Sequence, residues 1–237
     1  DLKEANVDFI SNPVDTGNET GRCLVYVSPD AQRSMRTYLG AASNLSPENL
    51  DINAFENSEI VYMEGYLWDE PAAKEAYKKA FDLSKKLEIK SALSLSDKFC
   101  VEKWRDEFRN LSENTDIVFG NEEEIMSLYD TNILSNAISA ASNQLNLCII
   151  TRGEKGSIII SSDGVEEIPS YACENVIDTT GAGDLFAAGF LYGISINLRL
   201  YECAKLGSFC ASNVINLFGP RPNKNLLELV KNEGLLI

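Results

Sequence analysis

No other stretch of this chain restricts its fold as strongly as VIDTTGAGDLFAAGF, residues 176–190, where a glycine-rich segment leads directly into an apolar run. The β-branched pair at 176–177 favours the end of an extended segment, and the DTT that follows predicts a turn. Residues 181–183, Gly-Ala-Gly, leave backbone N–H groups uncovered, and Asp184 precedes the apolar residues LFAAGFLYGI. The stretch therefore predicts a helix whose first turn is open to a ligand.

An open helix start of this kind is a binding site for anions. The N–H groups of the first turn and the helix dipole favour phosphate, and glycines let a ligand approach the backbone closely. The carboxylate of Asp184 would compete with a bound phosphate unless a protonated group lies between them. A substrate hydroxyl meets that condition, because Asp184 could accept its proton while the oxygen attacks a phosphorus atom.

Two other interpretations remain open on these residues alone. Asp184 could be an ordinary helix N-cap beside a tight glycine turn, which fits the motif as well as catalysis does. A dinucleotide-binding turn fits less well, because GAGDLF lacks the third glycine of GxGxxG and lies near the C-terminus rather than in a first βαβ unit.

Composition narrows the chemistry that is available. The 237 residues include 21 basic and 36 acidic ones, a net charge of −15, which disfavours nucleic acid and anionic membranes as partners. The sequence contains no histidine, which excludes Ser/His/Asp hydrolysis, Cys/His proteolysis and histidine-ligated metals. Carboxylates, backbone amides and Lys or Arg side chains are left to perform any reaction.

Cysteine usage and hydropathy predict a soluble cytoplasmic protein. Six cysteines without a CxxC pair, most of them within apolar runs, favour buried reduced thiols. No apolar run approaches the roughly 20 residues that cross a bilayer. The first ten residues, DLKEANVDFI, have neither the basic nor the apolar region of a signal peptide.

Hydrophobic periodicity divides the chain into a partial β lid with its lead into the core, residues 1–40, and an α/β core, residues 41–237. In the lid, VDFI and RCLVYVS predict strands of a hairpin or small sheet. In the core, strands alternate with helices, which predicts a parallel sheet wrapped by helices. The predicted core strands are 59–64, 91–96, 116–120 and 147–151, with a hairpin turning at Asp163-Gly164, and the predicted helices include 72–88, 101–113, 197–218 and 225–231.

Within this pattern, DTTGAGDLFAAGF resembles the C-terminal signature of the ribokinase-like (PfkB) family of carbohydrate and nucleoside kinases. The resemblance implies a three-layer α/β/α fold with a mostly parallel central sheet and a small β lid. It also implies that Asp184 is the catalytic base and that the amides of Gly181, Ala182 and Gly183 form the anion hole.

Two further stretches resemble family motifs that lie near ATP. NEEE after the strand DIVFG is similar to N-x-x-E, which implies that Asn121 and Glu124 organise Mg²⁺ and phosphate-bound water, although an ordinary N-cap with an acidic first turn also explains it. TRGEKGS is similar to T-R-G-x-x-G, which implies that Thr151, Arg152 and Gly153 lie close to the nucleotide phosphates.

A third stretch, QRSMRTYLGAA, resembles the adenosine-kinase-like branch, in which an arginine reaches the transferred phosphate. Arg33 is the matching position, and Arg36 is its close neighbour. SLSDKFCVEKWRDEF followed by DIVFGNEEE also resembles that branch, so the similarity extends from about Val7 to Pro222.

The family's usual first strand with an acidic substrate ligand and its Gly-Gly motif have no counterpart here, and we expect them upstream of this sequence. The resemblance implies an ATP-dependent kinase that phosphorylates a primary hydroxyl of a ribonucleoside or sugar, adenosine being the best single candidate. It implies ATP and Mg²⁺, with K⁺ near Asp178 as a further expectation. The oligomeric state is open between a monomer and a homodimer in which the lid strands pair. The alternatives are a non-catalytic nucleotide- or sugar-binding protein on the same fold, and an α/β domain with neither activity.

Overall fold

The computed structural model describes residues 2–9 and 17–236, and eight strands in this part of the chain form two sheets. The strands are β1 (Arg22–Val27), β2 (Arg33–Tyr38), β3 (Ile60–Glu64), β4 (Lys90–Ser94), β5 (Ile117–Asn121), β6 (Cys148–Thr151), β7 (Ser157–Ser161) and β8 (Gly164–Ile168). The α-helices are α1 (Ile52–Glu56), α2 (Pro71–Leu87), α3 (Lys98–Lys103), α4 (Arg105–Glu113), α5 (Glu122–Leu128), α6 (Leu134–Gln144), α7 (Ala182–Ser195), α8 (Leu200–Val214) and α9 (Leu226–Asn232).

The larger sheet has the order β3-β4-β5-β6-β7-β8. Strands β3 to β6 are parallel, and β7 and β8 add an antiparallel hairpin beside β6. Successive parallel strands are joined by helices, as a parallel connection requires. The predicted mostly parallel sheet is confirmed.

Alternating side chains on these strands fill a separate core on each face of the sheet. One core packs against helices α2, α4, α5 and α6 and includes Leu93, Val118, Ile150, Tyr77, Phe108 and Ile125. The other packs against α7 and α8 and includes Ala92, Phe119, Ile149, Phe186, Phe190 and Ala204. Helices on both faces confirm the three-layer α/β/α architecture.

The prediction of one continuous helix at 101–113 is wrong. The chain leaves the helical conformation at Trp104 and forms two helices, α3 and α4. The backbone of Trp104 has φ −128° and ψ 35°. Its ring lies 3.3 Å from Nζ of Lys74, and its indole N–H donates to Asp69. These contacts come from distant residues, so the local periodicity gave no sign of the break.

The predicted helix at 197–218 is longer than the observed α8, Leu200–Val214. The chain turns before it at Asn197, where φ is +60°. After it, the carbonyl of Ile215 accepts hydrogen bonds from the N–H groups of Ile177 (2.8 Å) and Asp178 (3.3 Å). This tertiary pairing with the segment before the glycines draws the chain out of the helix.

The β7–β8 hairpin forms as predicted, but its turn residues are Ser162 and Asp163 rather than Asp163 and Gly164. Ser161 pairs with Gly164 in the ladder. Gly164 has φ +120°, a conformation that favours glycine, at the first position of β8.

The lid sheet is formed by β1 and β2, which pair antiparallel from Arg22–Tyr38 to Val27–Arg33. The prediction that VDFI supplies one of its strands is wrong for residues 7–9, which form no strand, and Ile10 lies outside the described residues. Nearly all of both strands is exposed, so the RSMRTY sequence of β2 lacks the alternation that identifies a half-buried strand. The division between lid and core at residue 40 stays a prediction.

No helix in the described part of the chain is long and apolar enough to span a membrane.

All six cysteines are free thiols, as predicted, and Cys148, Cys203 and Cys210 are buried. Cys23, on the lid, is exposed and departs from the expected burial.

Candidate active site

The sequence-predicted site residues gather at the carboxyl edge of the parallel strands. Asn121 ends β5, Thr151 ends β6, and the two are paired in register. Glu64 ends β3, and the charge of Asp184 on α7 raises its pKa, which places the start of α7 near the same edge. Ligands of open α/β sheets bind at this edge.

Gly181 and Gly183, at the start of α7, have different structural roles. Gly181 is the N-cap residue, with φ +81°. A Cβ at this position would lie 2.8 Å from the Cβ of Pro220, so both backbone conformation and packing require glycine. A Cβ on Gly183 would meet no atom within 4 Å. Gly181 therefore builds the turn, and Gly183 leaves space above the backbone for a ligand.

Asp184 does not occupy the N-cap position, because Gly181 is the N-cap and makes no side-chain cap. Asp184 is the third residue of α7 and is exposed to solvent. Ala182, one of the expected amides of the anion hole, donates its N–H to the carbonyl of Thr179 at 3.2 Å. The other two expected amides, at Gly181 and Gly183, lie on either side of Ala182 in the sequence. The carboxylate of Asp184 follows directly after Gly183, where the space above the backbone is open.

A buried carboxylate holds the turn in place. Asp178 is 2% exposed and accepts hydrogen bonds from the N–H (2.9 Å) and hydroxyl (2.6 Å) of Thr180 and from the N–H of Gly219 (2.9 Å). Burial raises the pKa of Asp178, but these hydrogen bonds and the charge of Arg33 outweigh it, so the pKa lies below its ordinary value. Asp178 is therefore a structural anion.

Asn121 and Glu124 form a reciprocal capping box at the start of α5. The N–H of Glu124 donates to Oδ1 of Asn121 (2.9 Å), while the carboxylate of Glu124 accepts from the backbone N–H (3.0 Å) and Nδ2 (2.6 Å) of Asn121. Burial raises the pKa of Glu124 to about 7, with smaller contributions from the charges of Asp97 and Glu123. The capping interpretation is thus confirmed as the local structure of this motif.

These two side chains fit Mg²⁺ only through water. Each carboxylate oxygen of Glu124 already accepts a hydrogen bond from Asn121, although each has a further lone pair to offer. Among residues 2–9 and 17–236, no three His, Cys, Asp or Glu side chains are grouped to hold a metal. Mg²⁺ commonly keeps several of its waters, so an outer contact of this kind suits it.

In the TRG segment, Gly153 has open space around its Cβ position and Arg152 belongs to an ion-pair network. Arg152 donates to Glu122 through Nε (2.8 Å) and to Glu167 through Nη1 (3.2 Å), so its charge is balanced within the protein. Gly153 has φ +58°, and a Cβ there would meet nothing within 4 Å. Gly153 therefore leaves open space beyond the strand end. Thr151 pairs in the sheet with Asn121 and Ser157, and Arg152 links the end of β6 to α5 and β8.

Arg33 is brought from the lid to the turn before the anion hole. Its Nη1 donates to Oγ1 of Thr179 at 2.6 Å, across 146 residues of sequence. Arg36 lies within β2 opposite Leu24. Arg33 is therefore the lid arginine that contacts the segment 178–184.

Three residues at this edge were not predicted from the sequence: Glu64, Tyr66 and Asp97. Burial and the charge of Asp184 raise the pKa of Glu64, while burial and the charges of Asp97, Glu124 and Asp184 raise that of Tyr66 to about 12. Tyr66 nevertheless has 48% of its surface exposed. The signal that could have found them is position, since Glu64 is the last residue of β3, Tyr66 lies two residues after it, and Asp97 lies three residues after the end of β4.

A three-layer α/β/α fold that carries an open, acid-bearing helix start at the carboxyl edge of its sheet belongs to the class of ribokinase-like kinases. Residues 1–225 match the pfkB family of carbohydrate kinases, and the chain belongs to this family. It is by family a carbohydrate or nucleoside kinase, and an adenosine kinase is among the solved structures that it resembles.

Solved structures support this assignment. A crystal structure of adenosine kinase from Sinorhizobium meliloti is 38% identical with a TM-score of 0.95 and covers 98% of this chain and 72% of its own. A probable sugar kinase from Rhizobium etli CFN 42 is 37% identical with a TM-score of 0.96 and covers 100% and 72%. An E. coli protein provisionally described as ribokinase II, solved with ATP and Mg²⁺, is 20% identical with a TM-score of 0.84, covers 98% and 77%, and shows the fold alone.

Proposed function

We propose that this protein transfers the γ-phosphoryl group of ATP to a primary hydroxyl of a ribonucleoside, with adenosine as the preferred acceptor. The observation that carries the proposal is the start of α7, where the exposed carboxylate of Asp184 adjoins the unobstructed backbone of Gly183. A base for the acceptor hydroxyl and an anion hole for the γ-phosphoryl group are thus next to each other.

In the proposed reaction, Asp184 accepts the proton of the acceptor hydroxyl as its oxygen bonds to the γ-phosphorus. The bond from that phosphorus to the β,γ-bridging oxygen breaks, and ADP leaves. The amides of Gly181 and Gly183 stabilise the charge on the transferred group, and Arg33 balances it. Mg²⁺, held through water near Asn121 and Glu124, would neutralise phosphate oxygens.

The donor nucleotide has candidate contacts on both sides of the turn. These are Thr151, which is half-buried at the end of β6, and Gly153, which has open space at its Cβ position. A cavity of about 700 Å³, lined in part by Ile177, Asn213 and Asn216, adjoins the turn. Its volume suits a nucleoside, and amide side chains can both donate to and accept from a purine edge. We assign this cavity to the base of ATP.

The acceptor preference rests on the residues near Asp184. Glu64 and Asp97 can accept hydrogen bonds from sugar hydroxyls, and the half-exposed ring of Tyr66 offers a face to an aromatic base. Carboxylates beside an aromatic face suit a ribonucleoside better than a free sugar. A bound K⁺ near Asp178 stays a prediction.

Replacing the proposed base gives the decisive test. We expect Asp184→Asn in the full-length protein to lower kcat for adenosine phosphorylation by about 10²- to 10⁴-fold, because a positioned base is lost. ADP release in the presence of Mg-ATP and a panel of nucleosides and sugars measures it. The matched control is Asp163→Asn, which removes the same charge in the β7–β8 turn and should leave kcat unchanged.

Activity of Asp184→Asn within a few-fold of wild type would contradict the assignment of the base. Binding of adenosine and ATP by the wild type without any ADP release would instead favour the non-catalytic binding protein.

A further inference from the structure

The turn between β1 and β2 is docked on the segment that precedes the anion hole. Ala31, in this turn, is only 6% exposed, whereas the lid strands on either side of it are largely exposed. The hydroxyl of Thr179 makes both polar contacts of the junction. It accepts from Nη1 of Arg33 at 2.6 Å and donates to the carbonyl of Ala31 at 3.5 Å.

The lid turn has an ordered structure of its own. The N–H of Ser28 donates to the carbonyl of Gln32 and the N–H of Ala31 donates to that of Ser28, both at 2.9 Å. The side chains of Ser28 and Asp30 add hydrogen bonds to the carbonyl (3.0 Å) and N–H (3.3 Å) of Gln32. Because the turn is internally fixed, its contact with Thr179 determines where the following residue, Arg33, meets the core.

We propose that Thr179 is a positioning residue that holds the guanidinium of Arg33 beside the anion hole. The proposal rests on the role given to Arg33 in the proposed function. Arg33 is an exposed side chain with many rotamers, and ordering it at a phosphate costs conformational entropy. A hydrogen bond between its charged guanidinium and a fixed hydroxyl supplies that order before the substrates bind.

Removal of the hydroxyl alone tests the proposal. We expect Thr179→Val, which keeps the branched shape, to lower kcat about 10-fold while the KM for Mg-ATP changes less than about three-fold, since a hydrogen bond to a charged group is lost. Thr179→Ser, which keeps the hydroxyl, should restore kcat to within about three-fold of wild type. If Thr179 had only a structural role, Thr179→Val would lower the unfolding midpoint without the selective fall in kcat relative to KM. Thr179→Ala replaces the valine variant if that protein does not fold.

A double-mutant cycle with Arg33→Met identifies the partner through which Thr179 acts. If Thr179 works by orienting Arg33, Thr179→Val should lower kcat by less than about two-fold when Arg33 is already methionine. Additive losses, or a normal kcat in Thr179→Val alone, overturn the inference while leaving the proposed reaction intact. A normal kcat in Arg33→Met overturns the role of Arg33 and the inference with it, whereas the Asp184→Asn test of the reaction stands apart from both.

Discussion

At the scale of single residues, two glycines two positions apart meet different demands. Gly181 needs a left-handed backbone and close contact with Pro220, whereas Gly183 is helical and its Cβ position is empty. The motif GAG therefore combines one glycine required by conformation with one that the fold itself would allow to change. The proposed binding of phosphate over this residue accounts for glycine at the second position.

Gly183→Ala should separate folding from function. Alanine is favoured over glycine in a helix by about 0.5–1 kcal/mol, so we expect the free energy of unfolding to rise slightly or stay unchanged. The added methyl group enters the space through which a phosphate must approach, so kcat/KM should fall by about 10²-fold, comparable to the loss of an oxyanion-hole donor. Urea unfolding and steady-state kinetics on the same preparation measure the two effects. An active Gly183→Ala enzyme would show that phosphate does not bind over this residue.

At the scale of elements, two glycines outside the proposed anion hole, Gly189 and Gly207, determine how helix α7 packs. A Cβ on Gly189 would lie 2.9 Å from the Cα of Gly207 on α8, and a Cβ on Gly207 would lie 2.6 Å from the carbonyl oxygen of Phe186 on α7. The two helices therefore pack backbone against backbone. This packing fixes the position of α7, and its first turn carries the candidate base.

Gly189→Ala should lower stability, because the new methyl group forces α7 and α8 apart. Overpacking of this kind costs about 1–3 kcal/mol, and each kcal/mol lowers the unfolding midpoint by about 2–4 °C in a protein of this size. Thermal unfolding measures the shift. Gly183→Ala is the matched control, since it adds the same methyl group to the same helix without a clash. Equal midpoints for Gly189→Ala and wild type would contradict the close packing of the helices.

At the scale of the whole molecule, carboxylates from separate elements converge at one edge of the sheet in a chain of net charge −15. Glu64, Asp97, Glu124 and Asp184 come from four different segments. Burial and the charge of Asp184 raise the pKa of Glu64, while burial and the charge of Asp97 raise that of Glu124. Such carboxylates can accept hydrogen bonds from hydroxyl groups, and their mutual repulsion destabilises the protein when no ligand is bound.

The burial of Glu124, together with the charges near it, predicts a pH dependence of stability. The pKa of Glu124 is about 7 in the folded protein against an ordinary value of 4.5, so between these values the folded state holds a proton that the unfolded state has lost. The free energy of unfolding should therefore fall as pH rises from about 5 to 7, by up to about 3 kcal/mol from this group at 1.4 kcal/mol per pH unit. Urea unfolding without Mg²⁺ at several pH values measures the slope.

Two variants assign this slope to its cause. Glu124→Gln should flatten it, because the glutamine cannot ionise. Asp97→Asn should reduce it, because the negative charge beside Glu124 is removed while asparagine still caps α3 through the N–H of Phe99. An unchanged slope in Glu124→Gln would show that other groups control the pH dependence. Dimer formation through the exposed lid stays a prediction.

Local sequence patterns predicted much of the core and the position of the site. Periodicity placed α2, whose buried face carries Ala73, Tyr77 and Phe81, and the apolar runs placed β5 and β6. The GAG motif predicted the turn and the start of α7, and anion binding there stays a prediction. These features depend on residues within a few positions of one another, which is the range over which helix and strand periodicity acts.

The amino-acid sequence by itself determined the alternation of strands and helices, the family and the candidate base Asp184, because each is written in neighbouring residues. Only the tertiary structure decided the break at Trp104, the pairing of β1 with β2, the approach of Glu64 to Asp184, and the contact of Arg33 with Thr179. Lys74 lies 30 residues before Trp104, and Arg33 lies 146 residues before Thr179. Contacts over such separations form only when the chain has folded, so no local pattern in the sequence records them.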